Sequence, residues 1–130
     1  MGCVLPAGLK QGPARQAAIM AGIPKSTAAV TVNKLCGSAM QTTIYGHDQI
    51  KAGTNSIMIA GGMENMSQAP YLLPKARAGM RMGHGQGMDS MFLDGLEDAY
   101  EGGLMGVFAK RTADKYDISR EAMDNFAIAS

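Results

Sequence analysis

The sequence predicts an α/β fold, and three consecutive segments carry that prediction. Ala28 to Leu35 is a run of strand length, with Val30, Thr31 and Val32 supplying β-branched side chains. Cys36-Gly37-Ser38-Ala39 then opens a helical stretch to about Ala52, closed by Gly53. Ser56-Ile57-Met58-Ile59-Ala60 follows, apolar on both pleat faces and stopped by Gly61-Gly62. A strand apolar on both faces belongs in a covered parallel sheet. Strand, helix and strand in succession form a βαβ unit.

The elements follow in order along the chain. Residues 1–12 read as an irregular lead-in punctuated by Pro6, Gly8 and Gly12. Pro13 to Ala21 fits a helix, with Pro in the first turn and Gly22-Ile23-Pro24 ending it. In the helix after Cys36, Gln41, Asp48 and Lys51 share a polar stripe while small and apolar residues fill the remainder. That helix is expected to be buried on most sides. Met63 to Asp94 changes texture: Pro70, Pro74, Gly79, Gly83, Gly85 and Gly87 interrupt it and no period is sustained. About thirty residues without regular structure point to a functional loop, an assembly arm or an inserted subdomain. Leu104 to Tyr116 fits an amphipathic helix, and Ser119 is an N-cap for a last helix over Arg120 to Ser130. That helix reaches the C-terminus with no stop signal, so the chain reads as partial.

Composition narrows the function. The chain has 130 residues, 46% hydrophobic and 18% charged, enough for a packed core of about one domain. Twelve Lys and Arg against 11 Asp and Glu leave +1, which argues against a nucleic-acid partner or an anionic membrane. No apolar run approaches the roughly 20 residues of a membrane span. Met1-Gly2-Cys3-Val4-Leu5-Pro6 lacks the features of a signal peptide, and Pro6 spoils a myristoylation site. Two cysteines, Cys3 and Cys36, are too few for a disulfide scaffold and lack zinc-ligand spacing. A reduced, cytoplasmic protein without a metal is the expectation.

Cys36 is the chemically informative residue. A thiol where a parallel strand turns into a helix faces the unpaired N–H groups of the first turn. Those groups and the helix dipole favour an anion. A free thiol, with a pKa of about 8.5, is only about 3% ionised at pH 7, so such help matters for a nucleophile. A thiolate there suits acyl transfer through an enzyme-bound thioester. On position alone, a small buried hydrophobe is the competing reading, and it is the commoner one for a free Cys.

The wider string decides between them. Asn33-Lys34-Leu35-Cys36-Gly37-Ser38-Ala39-Met40, followed by Ala60-Gly61-Gly62-Met63-Glu64-Asn65-Met66-Ser67, closely resembles the thiolase family, in particular its acetyl-CoA acetyltransferases. Gln11 to Ala17, Asp94-Gly95-Leu96, Leu104-Met105-Gly106, Ser119-Arg120-Glu121 and Phe126 to Ser130 extend the likeness over almost the whole chain. The resemblance implies a layered α/β/α/β/α fold, with 1–66 as part of the N-terminal core and 67–130 as the start of an inserted loop domain. It implies that Cys36 takes an acetyl group from acetyl-CoA and passes it to a second acetyl-CoA, or runs the reverse thiolysis of a 3-ketoacyl-CoA. Coenzyme A is then substrate and product, and no other cofactor and no metal is implied. Leu96, Leu104 and Met105 fall where the family lies against the pantetheine, although several members carry His at the Leu104 position. Tyr71 to Met88 falls on an arm used in tetramer contacts, which makes a homo-oligomer, dimer or tetramer, the expected assembly and fatty acid metabolism the expected setting.

The family's other catalytic segments are Gly-His-Pro, Cys-x-Gly and an Asn-Glu-Ala type, and none occurs in this chain. His47 is expected on the helix after Cys36, His84 in a solvated loop, and Cys3 as a structural thiol. Family members are roughly three times as long, built from two halves of ordinary domain size. The isolated 130 residues are therefore expected to be inactive. A β-ketoacyl synthase-like condensing enzyme shares the Cys at this junction, and a silent assembly fragment is the third reading; a second catalytic Cys distinguishes thiolase from synthase.

Overall fold

Gly2 lies at the centre of three extended runs. The computed structural model describes residues 1–130, and in it Gly2 bridges in parallel to Val32 on one side and to Gly62 on the other. The Cys3 N–H donates to the Val32 carbonyl at 3.0 Å and the Val32 N–H to the Met1 carbonyl at 3.0 Å. Across the other edge, the Gly2 N–H donates to Gly61 at 2.8 Å and the Met63 N–H to Gly2 at 2.9 Å. The start of the chain, expected as an irregular lead-in, is thus the middle of this parallel arrangement. Its two neighbours are the runs expected at 28–35 and 56–60. Their pairing is confined to single bridges rather than continuous ladders, centred at Val32 and just beyond Ala60.

Two helices connect the runs. Helix α1, Pro13–Met20, has Pro in its first turn as expected. Its Arg15 guanidinium donates to the Lys25 carbonyl at 2.6 Å and the Thr27 carbonyl at 2.5 Å, which ties the following loop back to the helix. Helix α2 spans Ser38–Lys51. It lies on the extended runs through small residues. A Cβ on Gly2 would fall 2.7 Å from Ser38 Cβ and 2.9 Å from Ala39 N, and one on Gly62 would fall 3.0 Å from Ala39 Cβ. Close approach of two backbones is the reason for glycine at both positions. Thr42, buried on the same face, accepts the Gly61 N–H through Oγ1 at 3.1 Å.

Burial departs from the expectation. In α2 only Ser38, Thr42 and Gly46 are buried, and Met40, Ile44, Tyr45 and Ile50 are exposed. Ile57 and Ile59, expected to be covered on both faces, are 83% and 69% exposed. The reason is geometric: α2 meets the runs along one narrow face of small residues, Ser38, Thr42 and Gly46, which leaves its larger apolar side chains outside that contact. The apolar residues that are buried are small or few, namely Cys3, Leu5, Ala14 and Ala113.

The chain divides into two compact units, Met1–Gly95 and Leu96–Ser130. In the first, the segment expected to lack regular structure holds a short 3₁₀ turn, Met66–Gln68, and a two-stranded antiparallel pair. Strands β1, Tyr71–Leu72, and β2, Met88–Asp89, pair Tyr71 with Asp89 and Leu72 with Met88. Buried Ser90 seals the base, its hydroxyl donating to the Pro70 carbonyl at 2.6 Å. A π-helical turn, Phe92–Leu96, follows. In the second unit, α3 spans Met105–Lys115 and α4 spans Arg120–Ala129. Ser119 caps α4 as expected, its Oγ accepting the Ala122 N–H at 3.1 Å. No helix is long and apolar enough to cross a membrane.

Candidate active site

Cys36 is exposed, in the turn between the Val32 run and the first residue of α2. The turn is specified by side chains on both sides of it. Asn33 Oδ1 accepts the Leu35 N–H at 3.0 Å, an Asx turn, and its Nδ2 donates to the Val4 carbonyl at 3.2 Å. Ser38 Oγ accepts the Lys34 N–H at 2.8 Å and donates to the Leu35 carbonyl at 2.6 Å. Lys34 extends to Gln41, its Nζ donating to Oε1 at 2.8 Å.

The unusual backbone falls on Leu35, whose φ is 49°. A left-handed conformation costs a residue with a Cβ about 1–2 kcal/mol, and such outliers persist where surroundings over-determine them. Gly37, on the other side of the thiol, is not the unusual position. Its φ is −90°, and a Cβ there would come no nearer than 3.5 Å to the Lys34 carbonyl oxygen. Leucine carries no mark of a left-handed turn, so Leu35 could not be found from its identity. Asn33, two residues before it, was the available signal.

Cys3 is the opposite kind of thiol. It is 2% exposed, and its Sγ donates to Glu64 Oε1 at 3.8 Å. Glu64 also accepts the N–H groups of Val4, at 2.7 Å, and Leu5, at 3.0 Å. Burial first, and the Glu64 charge second, push the Cys3 thiol above its ordinary 9.0. The folded state therefore favours the protonated thiol, a contribution present below 9.0 and lost as pH rises above it. Urea midpoints should fall as pH rises above 9.0, and Cys3→Ala should remove that part of the slope. With Ellman's reagent, exposed Cys36 should react quickly and Cys3 only at the rate of unfolding. Equal rates for the two thiols would contradict the buried placement of Cys3.

The remaining candidates lie elsewhere. Within the second unit, Glu97 and Leu104 form an antiparallel bridge, which brings the backbones of Leu96, Leu104 and Met105 to one end of a loop. The Asp98 N–H closes that loop onto the Gly103 carbonyl at 2.8 Å. Leu104 and Met105 are exposed at the start of α3. In the first unit, His47 is exposed and pairs with Asp48 at 3.1 Å, and His84 is exposed between β1 and β2. Neither has a hydrogen bond to Cys36. No three His, Cys, Asp or Glu side chains are grouped to hold a metal ion.

The whole chain, residues 1–130, matches the family described as thiolase, N-terminal domain. The chain belongs to the thiolase family. An acetyl-CoA acetyltransferase of Pseudomonas aeruginosa is 50% identical over 130 residues, covering 100% of this chain and 33% of its own length. One from Saccharomyces cerevisiae is 50% identical over 129 residues, 99% of this chain and 32% of its own. The solved Acat5 thiolase from Ascaris suum, in complex with coenzyme A, superposes with a TM-score of 0.88 at 42% identity, covering 98% of this chain and 33% of that one. The fold is accordingly the α/β fold of a thiolase, and the chain spans about a third of the length of the relatives it matches.

Proposed function

We propose that the complete protein carrying this thiolase segment is an acyltransferase that joins two acetyl-CoA into acetoacetyl-CoA, or cleaves a 3-ketoacyl-CoA, through an acyl thioester on Cys36. The observation that carries this reading is an exposed thiol held in an over-determined turn at a helix N-terminus, in a chain 50% identical to acetyl-CoA acetyltransferases. The Cys36 thiolate attacks the acetyl carbonyl of acetyl-CoA, and the new C–S bond forms as the bond to CoA breaks. CoA leaves and takes up the proton that Cys36 gave to a base outside this chain. The acetyl group then passes to the α-carbon of a second acetyl-CoA, after that carbon has lost a proton, and Cys36 is regenerated. Coenzyme A is the carrier in both half-reactions.

The reading extends to the rest of the chain. Residues 1–66 belong to the catalytic core and 67–130 begin the inserted loop domain. Leu96, Leu104 and Met105 lie along the pantetheine, a role that their grouping at one loop end and the exposure of Leu104 and Met105 support. Tyr71 to Met88 is a contact arm between subunits of a homo-oligomer, a role supported by the hairpin at its base and by Met82, which is 99% exposed. The setting is cytoplasmic fatty acid metabolism. The exposed apolar faces of α2 and of Ile57 and Ile59 are covered in the complete protein by the further chain that its relatives possess.

The test is to incubate the complete protein with acetyl-CoA alone, quench in acid and map the peptides by mass. An acetyl group on Cys36, discharged by added CoA, is the expected result. Turnover with an acetyl group on another residue, or with none on Cys36, overturns the assignment.

A further inference from the structure

The hydrogen bonds around Cys36 do not stop at its own turn. Asn33 follows the Val32 run and Glu64 follows the Gly62 run, and both reach the same stretch of chain between them, Val4-Leu5. The path is continuous. Glu64 accepts the Val4 and Leu5 N–H groups at 2.7 and 3.0 Å, the Val4 carbonyl accepts Asn33 Nδ2 at 3.2 Å, and Asn33 Oδ1 accepts the Leu35 N–H at 3.0 Å. Leu35 is the left-handed residue and Cys36 is next to it.

We propose that Asn33 and Glu64 are positioning residues for Cys36: by gripping Val4-Leu5 from the two flanking runs, they hold the Leu35 turn in the conformation that presents the thiol. This rests on the reading of Cys36 as the nucleophile. An Asn amide has two ends, and the Val4 carbonyl selects which one faces Leu35. With Nδ2 committed to Val4, only Oδ1 remains for the Leu35 N–H. Glu64 acts one step further away, by fixing the Val4-Leu5 peptide groups that Asn33 reads. Two N–H donors converging on its oxygens need an acceptor at each, which a carboxylate supplies and an amide does not. Without Asn33, of the side-chain hydrogen bonds to the turn's backbone only those of Ser38 to Lys34 and Leu35 remain. Leu35 is then freer to leave its left-handed φ and the thiol beside it loses its fixed orientation, while the surfaces that bind CoA are untouched.

The role predicts a specific split between kinetic constants in the complete protein. Asn33→Ala should lower kcat about 100-fold, as a misplacement of about 1 Å does, with KM within about threefold. Asn33→Ser restores an acceptor for Leu35 but is too short to reach Val4, and should recover part of the loss, leaving kcat about tenfold down. Glu64→Gln should also fall about tenfold in kcat with KM retained. Cys36→Ala is the reference. If it is inactive while a folded Asn33→Ala turns over within about twofold of wild type, the positioning role is overturned and the nucleophile stands. If Cys36→Ala keeps wild-type turnover, the nucleophile reading fails and the positioning role falls with it. Should Asn33→Ala not fold, wild-type kcat in either Asn33→Ser or Glu64→Gln overturns the proposal.

Discussion

Cys36→Ala in the complete protein should lower acetyl transfer by at least about 10⁴-fold while the thermal midpoint hardly moves. The two halves of this expectation come from different facts. The loss is large because the acyl-enzyme needs a nucleophile and alanine offers none, so both half-reactions stop. Stability is spared because Cys36 is exposed and its turn is held by Asn33 and Ser38 rather than by the sulfur. Surface substitutions of this kind usually stay within about 0.5 kcal/mol. A steady-state assay beside a melting curve checks both. Wild-type turnover would make Cys36 a structural thiol, and a collapse of the melting curve would make its loss of activity uninformative about chemistry.

Gly2→Ala should destabilise the protein by about 1–3 kcal/mol, an overpacking cost. The added Cβ would lie 2.7 Å from Ser38 Cβ and 2.9 Å from both Ala39 N and the Ser38 carbonyl carbon. Two of those three atoms are backbone, so no side-chain rotation relieves the clash, and the first turn of α2 must lift. Because that turn follows Cys36 directly, acyl transfer should fall as well. Gly106→Ala is the control of opposite sign. Gly106 is the second residue of α3 with nothing within 4 Å of the added atom, and alanine should stabilise it by about 0.5 kcal/mol, the low end for a helix position. Urea midpoints for the two variants decide the matter. A Gly2→Ala protein as stable as wild type would show that the helix does not lie as close to the extended runs as described.

The parts of this architecture that were legible in the sequence are those fixed by local chemistry. Pro13 marked the start of α1, Ser119 the cap of α4, and Cys36-Gly37-Ser38 the junction before α2, because caps, proline and glycine act within one turn of chain. The irregular middle was legible as such, but not the short antiparallel pair of Tyr71-Leu72 with Met88-Asp89, since two-residue strands leave no period to read. Cys36 was legible as a candidate at the strand-to-helix junction, and the hydrogen bonds that shape its turn were not. Asn33, Glu64 and Ser38 were visible as letters of a family motif, without any indication of which atoms they bind.

By itself the sequence determined the α/β class, the order of the helices and the thiolase likeness, and it singled out Cys36 as the candidate nucleophile. The tertiary structure alone decided that the first five residues lie between two later runs, that Gly2 is bare because a helix rests on it, and that the residue before Cys36 is left-handed. The physical reason is range. Helix signals are written in neighbours three or four residues apart, whereas the grip of Glu64 on Val4 joins positions 60 residues apart. Nothing local to either residue specifies such a contact.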